Sequence, residues 1–217
     1  MKRLMIKMKY FIVILMVIGL SNFAYGAGIS VTVNLDNNNG FTSQTTLGGF
    51  LAGAIREVTV ADVAMICSSS IKGSLYKGTL DISSLINLFY YPDDRIVLIE
   101  LKGSQIKNIM ERSVGTYPDE SSDFLQVSGL KGTFSPSRPS GNRVNDIYIG
   151  NKLMNMNSIY TVAVDDKLAS GFSGYIVFTR GKIISNNVTL REAMEIYVKS
   201  HSSISMPEEA GLKADRD

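Results

Sequence analysis

Apolar residues recur along this chain with two periods. Residues 46–58 place Leu47, Phe50, Leu51, Ala54, Ile55 and Val58 at helical spacing, which predicts one amphipathic helix. Ile106, Ile109 and Met110 predict a second over 104–114. Asp81 reads as a helix start before Ile82, Leu85, Ile86 and Phe89, and Pro92 breaks that run. Thr189-Leu190-Arg191-Glu192 is a capping box that opens a last helix with the stripe Leu190, Ala193, Met194 and Tyr197. Two largely apolar runs, 61–67 and 95–101, predict strands. Residues 29–35 alternate and are β-branched, so they predict another strand. Short strands follow at 124–129, 131–135, 145–149 and 159–164, with Gly150-Asn151 as a tight hairpin turn. Helices and strands in mixed order predict an α+β fold: a single domain with a mixed sheet and flanking helices.

The ends of the chain read differently. Lys2, Arg3, Lys7 and Lys9 precede an apolar run from Tyr10 to Leu20, and the small-residue stretch 21–27 follows. This is the pattern of a secretory signal peptide over residues 1–26. Its apolar run is shorter than the roughly 20 residues a spanning helix needs. The expected domain is 27–202, with a polar, frayed tail at 203–217. Export to the periplasm or the outside is the expected localisation.

Charge and composition narrow the chemistry. The formal charge is +2; loss of the four leader cations, with no acid among residues 1–26, leaves −2. No basic patch remains, so neither nucleic acid nor, after leader cleavage, a membrane is expected as a partner. One Cys excludes an intrachain disulfide framework, and one His excludes a multi-histidine metal site. There is no Walker loop, no G-x-G-x-x-G after a strand and no G-x-S-x-G elbow. Cys67 reads as a small core residue or a reactive thiol, and His201 as a cation complementing a helix end. Asp165-Asp166 reads as a turn or a carboxylate pair for a metal.

A series of segments in order carries a resemblance. These are Gln44-Thr45-Thr46-Leu47-Gly48, Ala61-Asp62-Val63-Ala64 and Phe124–Leu130, then Ser135–Val144, Tyr160-Thr161-Val162-Ala163, Leu168-Ala169-Ser170-Gly171 and Gly174-Tyr175. Together they resemble the C-terminal, substrate-binding domain of the secreted 5′-nucleotidases, from about residue 29 to 201. The resemblance implies a family of metal-dependent phosphoric monoester hydrolases active in nucleotide catabolism. The metal-bearing phosphatase domain of those enzymes has no counterpart here: there is no Asp-x-His and no Gly-Asn-His. The expectation is a chain without catalytic residues, metal or cofactor of its own, and without activity alone.

In the family this domain clamps a base between two aromatic rings, with Arg on the phosphate and Asn and Asp on base and ribose. Carried over residue by residue, the Arg falls on Lys72. The Pro-Phe-Gly-Asn stretch falls on Tyr91–Asp94, so the ring falls on Pro92 and the Asn on Asp94. The second ring falls on Lys167 and the ribose Asp on Ser173. The nucleotide pocket is therefore expected to be degenerate. Tyr91, Phe172 and Tyr175, with Tyr90, are the aromatics at hand to rebuild it. The resemblance leaves three roles open. One is a module binding a nucleoside or nucleotide in a changed pocket. Another is half of a split 5′-nucleotidase acting with a separate metallophosphatase chain. The third is an interaction or remnant domain without ligand.

Overall fold

The computed structural model describes residues 28–215; the leader expected at 1–26 lies outside them. In chain order the elements are β1 (Ile29–Val31), α1 (Thr46–Thr59), β2 (Val63–Cys67), β3 (Gly78–Leu80), α2 (Ile82–Ile86), β4 (Arg95–Lys102), α3 (Gly103–Ser113), β5 (Leu125–Ser128), β6 (Leu130–Phe134), β7 (Val144–Ile149), β8 (Lys152–Leu153), β9 (Ile159–Asp165), α4 (Asp166–Ala169), β10 (Lys182–Thr189), α5 (Leu190–Ser200), β11 (Ser203–Ile204) and β12 (Gly211–Ala214). Short 3-10 turns lie at 68–70, 172–174 and 176–180.

The central sheet has the order β10-β4-β9-β2-β5. It is mixed: β4 runs antiparallel to β9, with Ile96 opposite Asp165 and Lys102 opposite Ile159, while β9 and β2 are parallel. Its inner strands are buried on both faces, which is why they carry no polar alternation. Ala64, Ile66, Ile96 and Leu98 face one core, with α1 and α5. Met65, Cys67, Val97 and Ile99 face the other, with α3. Two smaller sheets, β11-β1-β3 and β12-β6-β7-β8, close the two cores. The α+β class, the mixed sheet and the flanking helices are as the sequence predicts.

Local signals explain where the elements start. Thr45 caps α1 by accepting from the Gly48 N–H, and Asp81 caps α2 by accepting from Ser84. At α5 both halves of the capping box form: Thr189 accepts from Glu192 N–H, and the Glu192 carboxylate accepts from Thr189 N–H. The Gly150-Asn151 turn joins β7 to β8, with both residues at positive φ (56° and 63°) as a tight primed hairpin requires.

Three parts depart from the sequence reading. The strand expected at 29–35 is only three residues long; Leu35 makes an isolated bridge to Leu75. The expected polar tail is built into the fold. Ser203–Ile204 runs parallel to β1 and Gly211–Ala214 parallel to β6. Ile204, Ala210 and Leu212 are buried, and those few apolar side chains hold a segment otherwise polar. Strand β10 is not predicted by periodicity at all, because two register shifts against β4 break its alternation.

Candidate functional site

The candidate site residues fall on the loops that leave β2, α2 and β9. After β2 the chain turns through Ser68–Ser70. The Ser68 hydroxyl donates to Gly40 O (2.5 Å), and Ser69 N donates to Ser122 O (3.1 Å). This turn is joined to the segment after α2: Lys72 N donates to Leu88 O (2.9 Å) and Tyr90 N to Ser70 O (3.0 Å). The next residues are tied to the start of α5. Arg191 N donates to Pro92 O (2.7 Å), Leu190 N to Asp94 O (3.0 Å), and the Arg191 guanidinium to the Asp93 carboxylate (2.7 Å).

This framework brings Tyr91, Asp94 and Lys167 together. The Lys167 ammonium lies 2.8 Å from Asp94 Oδ2 and 3.2 Å from the centroid of the Tyr91 ring. The face opposite position 167 thus belongs to Tyr91. Pro92 lends its carbonyl to Arg191 instead. Lys72 lies over the neighbouring ring, Tyr90, at 5.2 Å, and the two tyrosine rings are 6.5 Å apart. Both rings are more than half exposed.

The remaining candidates divide. Phe172 is 55% exposed and stands at the start of the turn after α4. Ser173 has φ of 54° and uses its carbonyl to accept from the Arg112 guanidinium. Tyr175 is in the core, 1% exposed, and its hydroxyl donates to Asp123 O (2.7 Å). It therefore offers no face to a ligand, and burial pushes its phenol above the ordinary range. Arg112, over the Tyr175 ring at 5.1 Å and 3.5 Å from the Asp123 carboxylate, anchors this loop. No sequence motif marked Arg112; its partners come from loops distant in the chain.

Two residues before Lys167, Asp165 ends β9 and caps α4 by accepting from Leu168 N (2.8 Å). Burial pushes its carboxyl up to about 6; the Leu168 bond opposes this, and the charges of Asp94 and Asp166 add to it. Among the described residues, no group of three or more His, Cys, Asp or Glu side chains is placed to hold a metal ion. Cys67 is buried, and that burial pushes its thiol far above the usual range, so it is a core residue. His201 stacks on Tyr197 (4.0 Å between centroids) with its Nε2 3.4 Å from Glu57. Arg143 braces loops, donating to Val114, Tyr117 and Arg138 carbonyls, and Arg138 donates to Asn145. Two open clefts of about 440 and 490 Å³ flank Met206–Glu208, and no candidate site residue lines either.

The family model for the 5′-nucleotidase C-terminal domain matches residues 18–180, and the chain belongs to that family. The trifunctional nucleotide phosphoesterase YfkN of Bacillus subtilis is 28% identical over 147 residues, 64% of this chain and 10% of that protein. A 5′-nucleotidase of Vibrio parahaemolyticus is 26% identical over 168 residues, 77% of this chain and 29% of that one. Among solved structures, a 5′-nucleotidase precursor from Thermus thermophilus superposes with a TM-score of 0.79 at 20% identity, covering 89% of this chain and 40% of that one. The NAD nucleotidase of Haemophilus influenzae gives 0.71 at 12%, covering 88% and 37%. This chain thus spans less than a third of those curated relatives' length.

Proposed function

We propose that this chain is an exported 5′-nucleotidase-type domain, linked to nucleotide catabolism, whose nucleotide pocket is degenerate and which does not hydrolyse nucleotides alone. One observation carries the reading of the pocket. Where a base would lie on the Tyr91 face, the Lys167 ammonium already sits there, neutralised by Asp94 at 2.8 Å. A neutral base would have to break a cation–ring contact and an ion pair to take its place. Family membership supports the link to nucleotides. The leader pattern of residues 1–26 supports export.

The test is calorimetric titration of the purified protein with AMP and adenosine, with a parallel assay of phosphate release from AMP, each with and without Mn²⁺. The expected result is neither heat nor phosphate. Phosphate release overturns the non-catalytic half of the reading. Micromolar binding of adenosine overturns the degenerate pocket.

A further inference from the structure

We infer that the cleft between α1, α5 and the segment 205–208 is a binding site for an amino-acid zwitterion with a large apolar side chain, its carboxylate on Arg56 and its ammonium on Glu57. No residue invoked in the nucleotide reading lines this cleft, so the two fail separately. It holds about 440 Å³, within the roughly 300–1,000 Å³ typical of small-molecule sites. Two of its walls, α5 and the segment 205–208, lie beyond residues 18–180, the stretch that matches the family. Its floor is bare backbone. Gly49 and Gly53 lie one turn apart on α1, and a Cβ at Gly53 would meet only the Ser128 hydroxyl, at 3.7 Å. Glycine is a poor helix former, and here its missing side chain is what leaves the space. Apolar surface is at hand. Phe50 and Tyr197 meet edge to face at 5.6 Å, and Met206, 55% exposed, also lines the cleft.

The charges along this cleft are only loosely partnered. Arg56 donates through Nε to the Ser128 hydroxyl (3.1 Å), which fixes the guanidinium against β5. Its acid partner, Glu208, is 3.5 Å away with a side chain 87% exposed, the geometry of a weak surface pair. A ligand carboxylate can take two guanidinium donors at once, and Glu208 then turns to water. Glu57 is partnered by the His201 imidazole at 3.4 Å, which carries charge only when protonated. Burial, and after it the Glu57 charge, push the Tyr197 phenol up, so this carboxylate lies near the aromatic wall. The charged side chains that line the cleft are one cation, Arg56, and two acids, Glu57 and Glu208. A plain anion gains Arg56 but meets both acids. A plain cation gains Glu57 but meets Arg56. A zwitterion satisfies Arg56 and Glu57 together, and its side chain covers the apolar wall.

The test titrates the wild-type protein calorimetrically with L-phenylalanine, with phenylpropionate, which lacks the ammonium, and with phenethylamine, which lacks the carboxylate. The wild type is expected to bind phenylalanine at least about tenfold more tightly than either relative, because each relative leaves one charged partner unpaired. Arg56→Gln is expected to weaken phenylalanine by about tenfold or more without weakening phenethylamine. Gly53→Leu fills the floor and is expected to abolish binding of all three, while its better helix propensity keeps α1 intact. No heat from phenylalanine with the wild type overturns the site. Undiminished binding in Gly53→Leu overturns its location. Equal affinity for phenylalanine and phenylpropionate overturns the role of Glu57, and equal affinity for phenylalanine and phenethylamine that of Arg56. If Gly53→Leu lacks a cooperative melting transition, Glu57→Gln, at a side chain 55% exposed, carries the location: it should weaken phenylalanine and spare phenylpropionate, and unchanged phenylalanine binding overturns the site.

Discussion

Replacing Asp165 by Asn should stabilise the protein at neutral pH and leave its stability in acid unchanged. Asp165 is buried at the end of β9, and its carboxyl is pushed from an ordinary 3.8 up to about 6. The folded state therefore holds the proton more tightly than the unfolded state does. Below pH 3.8 both states are protonated and nothing is lost. Between 3.8 and 6 the unfolded chain ionises first, so folding weakens as the pH rises, and above 6 the cost is constant. At 1.36 kcal/mol per pH decade, the displacement from 3.8 to about 6 corresponds to at most about 3 kcal/mol at pH 7. One effect opposes this: a negative charge at a helix start contributes roughly 0.3–1 kcal/mol. α4 is only four residues long, which places that contribution at the low end, so burial wins. Asn keeps the oxygen that accepts from Leu168 N, which confines the change to the charge. Urea unfolding of both proteins from pH 3.5 to 8 measures it. The expected result is two curves that coincide at pH 3.5 and separate through pH 4–6, with the Asn variant about 1–3 kcal/mol more stable at pH 7. A difference independent of pH, or an Asn variant less stable at pH 7, would refute the reasoning.

Further predictions follow from other hydrogen-bonded polar groups. Gln126 is fully buried and ties three segments together: its amide donates to Gly40 O, Ser43 O and the Ser68 hydroxyl, and its oxygen accepts from Thr45 N. Gln126→Leu leaves several of these groups unpaired and should cost about 3 kcal/mol or more in urea unfolding. Tyr175→Phe removes the hydroxyl bond to Asp123 O while keeping the ring, and should cost about 1–1.5 kcal/mol by the same measurement. Thr189→Ala deletes the cap of α5 and should cost about 1 kcal/mol, with Thr189→Ser restoring most of it.

How much of this was legible in the chain depends on how many residues each decision involved. Strands β2, β4 and β9 could be read because burial on both faces leaves a run of apolar residues, and α1 because its stripe extends along the whole helix. β11 and β12 could not, because Ile204 and Leu212 are single apolar residues whose partners lie on β1 and β6, far away in the chain. The same limit governs the site. Position 167 reads from the sequence as the loss of a ring, and position 94 as a changed polar group. Only the fold reveals that the two changes answer each other, with an ammonium and a carboxylate 2.8 Å apart on the Tyr91 face. A lone lysine on that ring would be a solvated side chain that any ligand could push aside. A lone aspartate would be an open acceptor. Held together they are one closed contact, and for that reason the substitution to examine is the one that breaks the pair.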